Sequence, residues 1–158
     1  MKALILAGGI GARLRPMTYT AAKQLIPIAN KPIIHYGLED IAAAGIQQVA
    51  IIIGSETAAA IRQEVQDGSQ WGLNVTYIYQ EEPLGLAHCV ILAEEFLGKE
   101  PFVMYLGDNL LKGGISSFAR AYQEGDANAM VLLCEVPNPE DFGVAEFASD
   151  GTIRCLVE

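Results

Sequence analysis

The first 38 residues contain no aspartate and no glutamate. They do carry Lys2, Arg13, Arg15, Lys23 and Lys31, while all 19 acids of the 158-residue chain fall in residues 39–158. A solvated surface normally mixes charges of both signs, so this acid-free stretch implies a local pocket for a polyanion. The net charge of −9 argues against a general nucleic-acid binder. Other absences narrow the field further. No Gly-Lys-Ser or Gly-Lys-Thr string occurs, which excludes a P-loop. No CxxC pair occurs, and the three cysteines, Cys89, Cys134 and Cys155, fit neither a disulfide framework nor a zinc site. Three buried thiols in a reducing compartment are expected. No apolar run reaches the roughly 20 residues that span a bilayer. The opening KALILAGG has no signal-peptide layout, so a cytoplasmic protein without membrane contact is expected.

What is present is apolar and periodic. Hydrophobic residues make up 51% of the chain. Strands are expected at 2–7, 48–53, 74–79, 102–106 and 129–136, with shorter ones near 143–147 and 152–157 around Ser149-Asp150-Gly151. Helices are expected from Pro32 to Gly45, and at 56–66, 84–97 and 115–124. Several strands are apolar throughout rather than alternating, as strands covered on both faces are. Strand–helix alternation then implies an α/β fold, a Rossmann-like three-layer sandwich with a mostly parallel sheet. No repeat or linker is visible, so one domain is expected. The chain stops inside an apolar strand, at Leu156-Val157-Glu158, which reads as a fragment of a longer protein.

The stretch LAGGIGARLRPMT, residues 6–18, follows the first strand directly. Glycines there let backbone N–H groups approach an anion. The dinucleotide fingerprint GxGxxG is not completed, because Gly9-Ile10-Gly11 is followed by Ala12-Arg13-Leu14. A plain Rossmann dehydrogenase is disfavoured for that reason. What remains is a wide loop over 8–31, in which the Arg13 fork, the Lys23 ammonium and backbone amides together suit a triphosphate. Asp108 follows an apolar strand in Leu106-Gly107-Asp108-Asn109, where α/β sheets place their ligands. A carboxylate there suits Mg²⁺, a hard cation held by few protein ligands plus phosphate oxygens.

These strings resemble the sugar-phosphate nucleotidyltransferases. LAGGIGARLRPMT and KQLIPIANKPII at 23–34 carry the resemblance. DGSQWG at 67–72, QEEPLGLAH at 80–88, LGDN at 106–109, FGVAEF at 142–147 and LVE at 156–158 continue it in order. KQLIP and GLAH are most similar to the branch that uses dTTP and glucose 1-phosphate, in its longer form with a β-helical extension. Ala12 stands where the family usually has Thr. The resemblance implies the nucleotide-diphospho-sugar transferase fold, with residues 1–158 as the N-terminal portion of the domain.

It also implies transfer of a nucleotidyl group to a sugar 1-phosphate, with Mg²⁺ as cofactor and Arg13, Lys23 and Asp108 catalytic. Nucleotide contacts fall on Leu6, Gly8, Gly9, Gly11, Ala12, Arg13, Lys23, Gln24, Gln80 and Gly85, and metal on Asp108. Asn109, Gly143 and Glu158 meet the sugar. The partners implied are a nucleoside triphosphate and a sugar 1-phosphate, with neither nucleic acid nor membrane; a homo-oligomer is left open. The family's second metal carboxylate and a sugar-phosphate lysine lie beyond Glu158, so residues 1–158 alone are expected to be catalytically silent. A UTP-using enzyme and a non-catalytic nucleotide-sugar sensor are the alternatives. His35 and His88 lack a Ser or Cys partner and are read as structural, and Trp71 as packing.

Overall fold

The computed structural model describes residues 1–9, 11, 14–16, 18 and 22–157. In chain order the elements are β1 (Lys2–Ala7), β2 (Pro27–Ile28), β3 (Lys31–Pro32), α1 (Ile33–Ala43), β4 (Gln48–Gly54) and α2 (Ala58–Val65). Then come β5 (Asn74–Gln80), α3 (Leu86–Leu92), α4 (Glu94–Leu97), β6 (Phe102–Leu106), α5 (Ser116–Glu124), β7 (Val144–Phe147) and β8 (Ile153–Val157). The chain divides into two compact units, Met1–Glu124 and Gly125–Glu158. The sequence shows no boundary at Gly125, because no proline- or serine-rich linker marks it.

The first unit is built on a four-stranded parallel sheet in the order β5-β4-β1-β6. Its central strands β1 and β4 are buried on both faces, as their lack of alternation implies, whereas Tyr79 of β5 and Phe102 and Met104 of β6 are exposed. Ala3, Ile5 and Ala7 of β1 and Val49, Ile51 and Ile53 of β4 pack against Ile34, Leu38 and Ile41 of α1 and Ile61 and Val65 of α2. The intervening residues Leu4, Leu6, Ala50 and Ile52 turn to the other face and meet Cys89 of α3, Ala93, and Leu97 of α4. Burying each of these large aliphatic side chains contributes about 1.5–3 kcal/mol. The sheet is therefore sandwiched between helices.

The strand order matters for function. From β1 the chain moves outward to β4 and β5, then returns to place β6 on the opposite side of β1. That reversal opens a crevice at the carboxyl ends of β1 and β6, the topological switch point where open α/β sheets take ligands. Gly8 and Gly9 leave β1 there, and Gly107 and Asp108 leave β6 there.

Three expectations are corrected. The run 129–136 is not a strand: it has no ladder partner among the described residues. Met130, Val131, Leu132 and Leu133 are each more than 40% exposed. Apolar β-branched composition makes a strand only where a neighbouring edge accepts its N–H and C=O groups. The thiols are not all buried either. Cys89 is, but Cys134 is exposed in that same unpaired run and Cys155 is half-buried on β8. The helix expected from 84 begins later, at Leu86, because Gly85 stands at φ +93 before it.

The second unit holds an antiparallel hairpin of β7 and β8 with a register shift at Glu146 and Phe147. Its turn is closed by Asp150, whose Oδ1 accepts from Thr152 N at 3.0 Å and from Thr152 Oγ1 at 2.7 Å.

Candidate functional site

The glycine-rich loop is shaped by the lysine it carries. A Cβ placed on Gly9 would lie 3.3 Å from Lys23 Cε, and one on Gly11 would lie 2.9 Å from both Lys23 Cβ and Thr18 Cγ2. Gly11 also adopts φ +65, which costs an L side chain about 1–2 kcal/mol. Thr18 Oγ1 donates to Gly11 O at 2.7 Å and fastens the loop. The loop thus lies along the stem of Lys23. The ammonium reaches across the crevice and meets Asp108 Oδ2 at 2.7 Å. Their side chains are 23% and 33% exposed, so the pair is held yet open to solvent and ligand.

Beside this pair sits an anomaly. Gln24 is wholly buried, and neither Nε2 nor Oε1 has a hydrogen-bond partner among the described residues. A buried amide without partners costs about 1–3 kcal/mol. Gln24 Cγ is 3.2 Å from where a Cβ on Gly107 would lie, so this amide is packed against the residue preceding Asp108. Such groups are few in native proteins, and a functional role is one of the explanations for them.

On the other side of β1 the site continues to β5. Register pairs Gly54 with Gln80. A Cβ on Gly8 would lie 3.2 Å from Gln80 Oε1, and one on Gly54 would lie 2.9 Å from Gly8 O. The two glycines let the first loop close over the end of β4 and reach the glutamine. Gln80 is 8% exposed. Its Nε2 donates to Gly85 O at 3.4 Å and lies 3.1 Å from His88 Nδ1. The Cys89 thiol also reaches Gly85 O, at 3.5 Å, and burial pushes that thiol's pKa up. It is therefore a poor nucleophile.

The structure brings together Gly8, Gly9, Gly11, Lys23, Gln24, Gln80, Gly85 and Asp108 along one line of contacts. Leu6 is 8% exposed with its side chain in the core, and it reaches the site through its carbonyl, which accepts from Gly107 N at 3.0 Å. Asn109 is exposed next to Asp108, and its own carbonyl accepts from Tyr105 Oη at 3.4 Å. Gly143 belongs to the second unit, just before β7. Ala12, Arg13 and Glu158 lie outside the described residues. His35 keeps its structural reading: Nε2 is 2.9 Å from Glu64 Oε1, and its ring meets Trp71 edge-on at 4.9 Å. His88 does not. Sequence reasoning missed its contact with Gln80, although the spacing of eight residues across a Pro-Leu-Gly turn is the signal that brings them together.

The donor set also bears on metal. Among the described residues no group of three or more His, Cys, Asp or Glu is placed to hold a metal ion. Asp108 alone does not suit a metal that requires a protein cage. It fits a hard divalent cation held mainly by phosphate oxygens and water.

The sequence matches the model of the family described as Nucleotidyl transferase over residues 2–158. The chain belongs to the nucleotidyl transferase family. Among curated members it is 52% identical over 158 residues to a glucose-1-phosphate thymidylyltransferase of Streptomyces griseus, covering 100% of this chain and 44% of that protein. It spans less than half the length of that relative. Among solved members, a crystal structure assigned as a glucose-1-phosphate thymidylyltransferase from Bacillus anthracis, in complex with a sucrose, superposes with a TM-score of 0.93 at 33% identity. That match covers 100% of this chain and 64% of the other. A UDP-glucose pyrophosphorylase complexed with UDP-glucose shares the fold, with a TM-score of 0.77 at 24% identity over 99% of this chain and 68% of the other. The Rossmann-like nucleotidyltransferase fold read from the sequence is thereby borne out. Among the described residues no helix is long and apolar enough to cross a membrane.

Proposed function

We propose that residues 1–158 are the N-terminal, nucleotide-binding portion of a nucleotidyltransferase domain. The reaction is transfer of a nucleotidyl group from a nucleoside triphosphate, dTTP, to a sugar 1-phosphate, glucose 1-phosphate. A phosphate oxygen of the sugar 1-phosphate attacks the α-phosphorus. The bond from the α-phosphorus to its β-bridging oxygen breaks, and pyrophosphate leaves. The attacking oxygen is already an anion, so no general base is required, and alignment and charge neutralisation supply the rate.

The observation that carries this reading is the Lys23–Asp108 pair at the switch point, with the Gln24 amide, partnerless among the described residues, beside it. In this reading Lys23 and Arg13 hold the departing pyrophosphate. Leu6, Gly8, Gly9, Gly11, Ala12 and Gln24 contact the nucleotide, and Gln80 and Gly85 meet the base. Asn109, Gly143 and Glu158 meet the sugar. Asp108 holds the divalent metal, Mg²⁺, which when bound neutralises phosphate charge. A cytoplasmic location is part of this reading, and the three unpaired thiols support it.

The test is pyrophosphate release by the intact protein from dTTP, glucose 1-phosphate and Mg²⁺. Asp108→Asn keeps the shape and removes the charge. Turnover should fall by about 10²–10³, the scale of losing one electrostatic contact to a reacting group. Near-wild-type turnover in that variant would reduce Asp108 to a turn residue. Faster turnover with UTP than with dTTP would move the enzyme to the UTP-using alternative.

A further inference from the structure

We propose that His88 is a positioning residue that sets which atom of the Gln80 amide faces the nucleobase, and that it thereby selects pyrimidines carrying N3–H, thymine and uracil, over cytosine. This rests on the reading above in which Gln80 and Gly85 meet the base.

The inference runs through three contacts. Gln80 Nε2 lies 3.4 Å from Gly85 O. A carbonyl oxygen only accepts, so the amide atom facing it is the nitrogen, and a flipped amide would set two oxygens against each other. That same nitrogen lies 3.1 Å from His88 Nδ1. A donor there requires Nδ1 to be an acceptor, which places the imidazole proton on Nε2. Both hydrogens of the Gln80 nitrogen are then engaged by the protein, one by Gly85 and one by His88. The other amide atom, Oε1, points to the first loop, 3.2 Å from where a Cβ on Gly8 would lie. Among the described residues nothing donates to it. A ligand in this place therefore meets an acceptor.

Thymine and uracil present N3–H to such an acceptor. Cytosine presents N3 as a lone pair, which an amide oxygen repels. The Gly85 bond alone is long at 3.4 Å, and the shorter contact is the one to His88. Without His88 the amide is free to turn its nitrogen toward the ligand, and the discrimination weakens. His88 is half-buried in the first turn of α3, so its ring is held by the helix rather than by the ligand.

The experiment compares dTTP with 5-methyl-dCTP, which differ only at the edge of the ring that Gln80 would read. Equilibrium titrations use the intact protein as wild type, His88→Leu and His88→Asn. Expected is a wild-type preference for dTTP that drops by about tenfold in His88→Leu, the scale of one hydrogen bond. His88→Asn, whose Oδ1 takes the place of Nδ1, should restore it. In ¹⁵N spectra of the unliganded wild type, His88 should show an unprotonated Nδ1. An unchanged preference in a folded His88→Leu protein, or a proton on Nδ1, overturns the inference. If His88→Leu does not fold, the asparagine variant and the ¹⁵N spectrum decide. If the wild type binds neither triphosphate, the nucleotidyl-transfer reading fails and takes this inference with it. If it binds dTTP and only the preference is unmoved, His88 alone is at fault.

Discussion

Lys23 Nζ and Asp108 Oδ2 stand 2.7 Å apart across 85 residues of sequence. One leaves the loop after β1 and the other leaves the end of β6. Under the proposed function, opposite charges so placed would satisfy each other until a triphosphate and its metal arrive, when the ammonium would have phosphate oxygens to meet and the carboxylate a cation. Lys23→Met should change thermal stability by less than about 1 kcal/mol, because a partly exposed ion pair contributes little. Triphosphate affinity should fall by roughly one to two decades, the worth of a charge-assisted contact. Thermal unfolding and dTTP titration of the same preparation check both halves. A large stability loss with unchanged affinity would make the pair a structural strut.

Gln24 predicts the opposite sign for stability. Its buried amide has no partner among the described residues. Gln24→Met keeps the shape and removes the polar atoms, so unfolding free energy should rise by about 1–3 kcal/mol. Turnover should fall in the same protein. Denaturant unfolding alongside a pyrophosphate assay measures the two together, and a destabilised variant would show that the amide is satisfied after all.

Gly11→Ala should disturb the loop from within. The new Cβ would lie 2.9 Å from Lys23 Cβ and Thr18 Cγ2, at a φ of +65. The strain is about 1–2 kcal/mol and displaces the stem of Lys23. KM for the triphosphate should rise by about tenfold, a loss of about 1.4 kcal/mol of binding. Steady-state kinetics at saturating sugar 1-phosphate reads it, and an unchanged KM would mean that the loop yields without moving Lys23.

A pH effect is expected at Asp40. Tyr105 Oη donates to its Oδ2 at 3.2 Å. Burial raises the Asp40 pKa above 3.8, with the Tyr105 hydrogen bond opposing and the charge of Glu39 adding to the rise. A carboxyl raised on folding stabilises the fold below its ordinary pKa, and that contribution is lost as pH rises through the raised value. Asp40→Asn cannot ionise and keeps an acceptor for Tyr105. Relative to wild type its stability should therefore gain between about pH 4 and neutrality, by less than about 1 kcal/mol. Melting curves at pH 3, 5 and 7 test the trend, and a gain largest at pH 3 would reverse the assignment.

Much of this protein is local and therefore legible in its sequence. Uniformly apolar strands in the 2–7 and 48–53 runs announce burial on two faces, since alternation survives only where one face meets water. The acid-free first 38 residues concentrate cations around the glycine-rich loop, and the structure places one of them, Lys23, at the switch point beside Asp108. Gly8, Gly9 and Gly11 announce a close backbone approach, although not that Lys23 is what approaches. Where the sequence misled, at 129–136, the composition was that of a strand but the partner edge was not among the described residues. Pairing is a property of two segments, and one of them carries no record of the other.

The strand order was decided only by the tertiary structure. Nothing in Phe102–Leu106 states that it lies beside β1 rather than outside β5, because parallel partners are joined by long crossovers and any buried apolar strand fills either slot. Packing of helices on both faces selects one arrangement, and that arrangement carries Asp108 to Lys23 and closes the site. The same holds for Gln80 and His88. Their residue types were plain from the chain, but the direction in which the amide points is set by a carbonyl and a ring nitrogen that meet it only after the turn at Gly85 has folded.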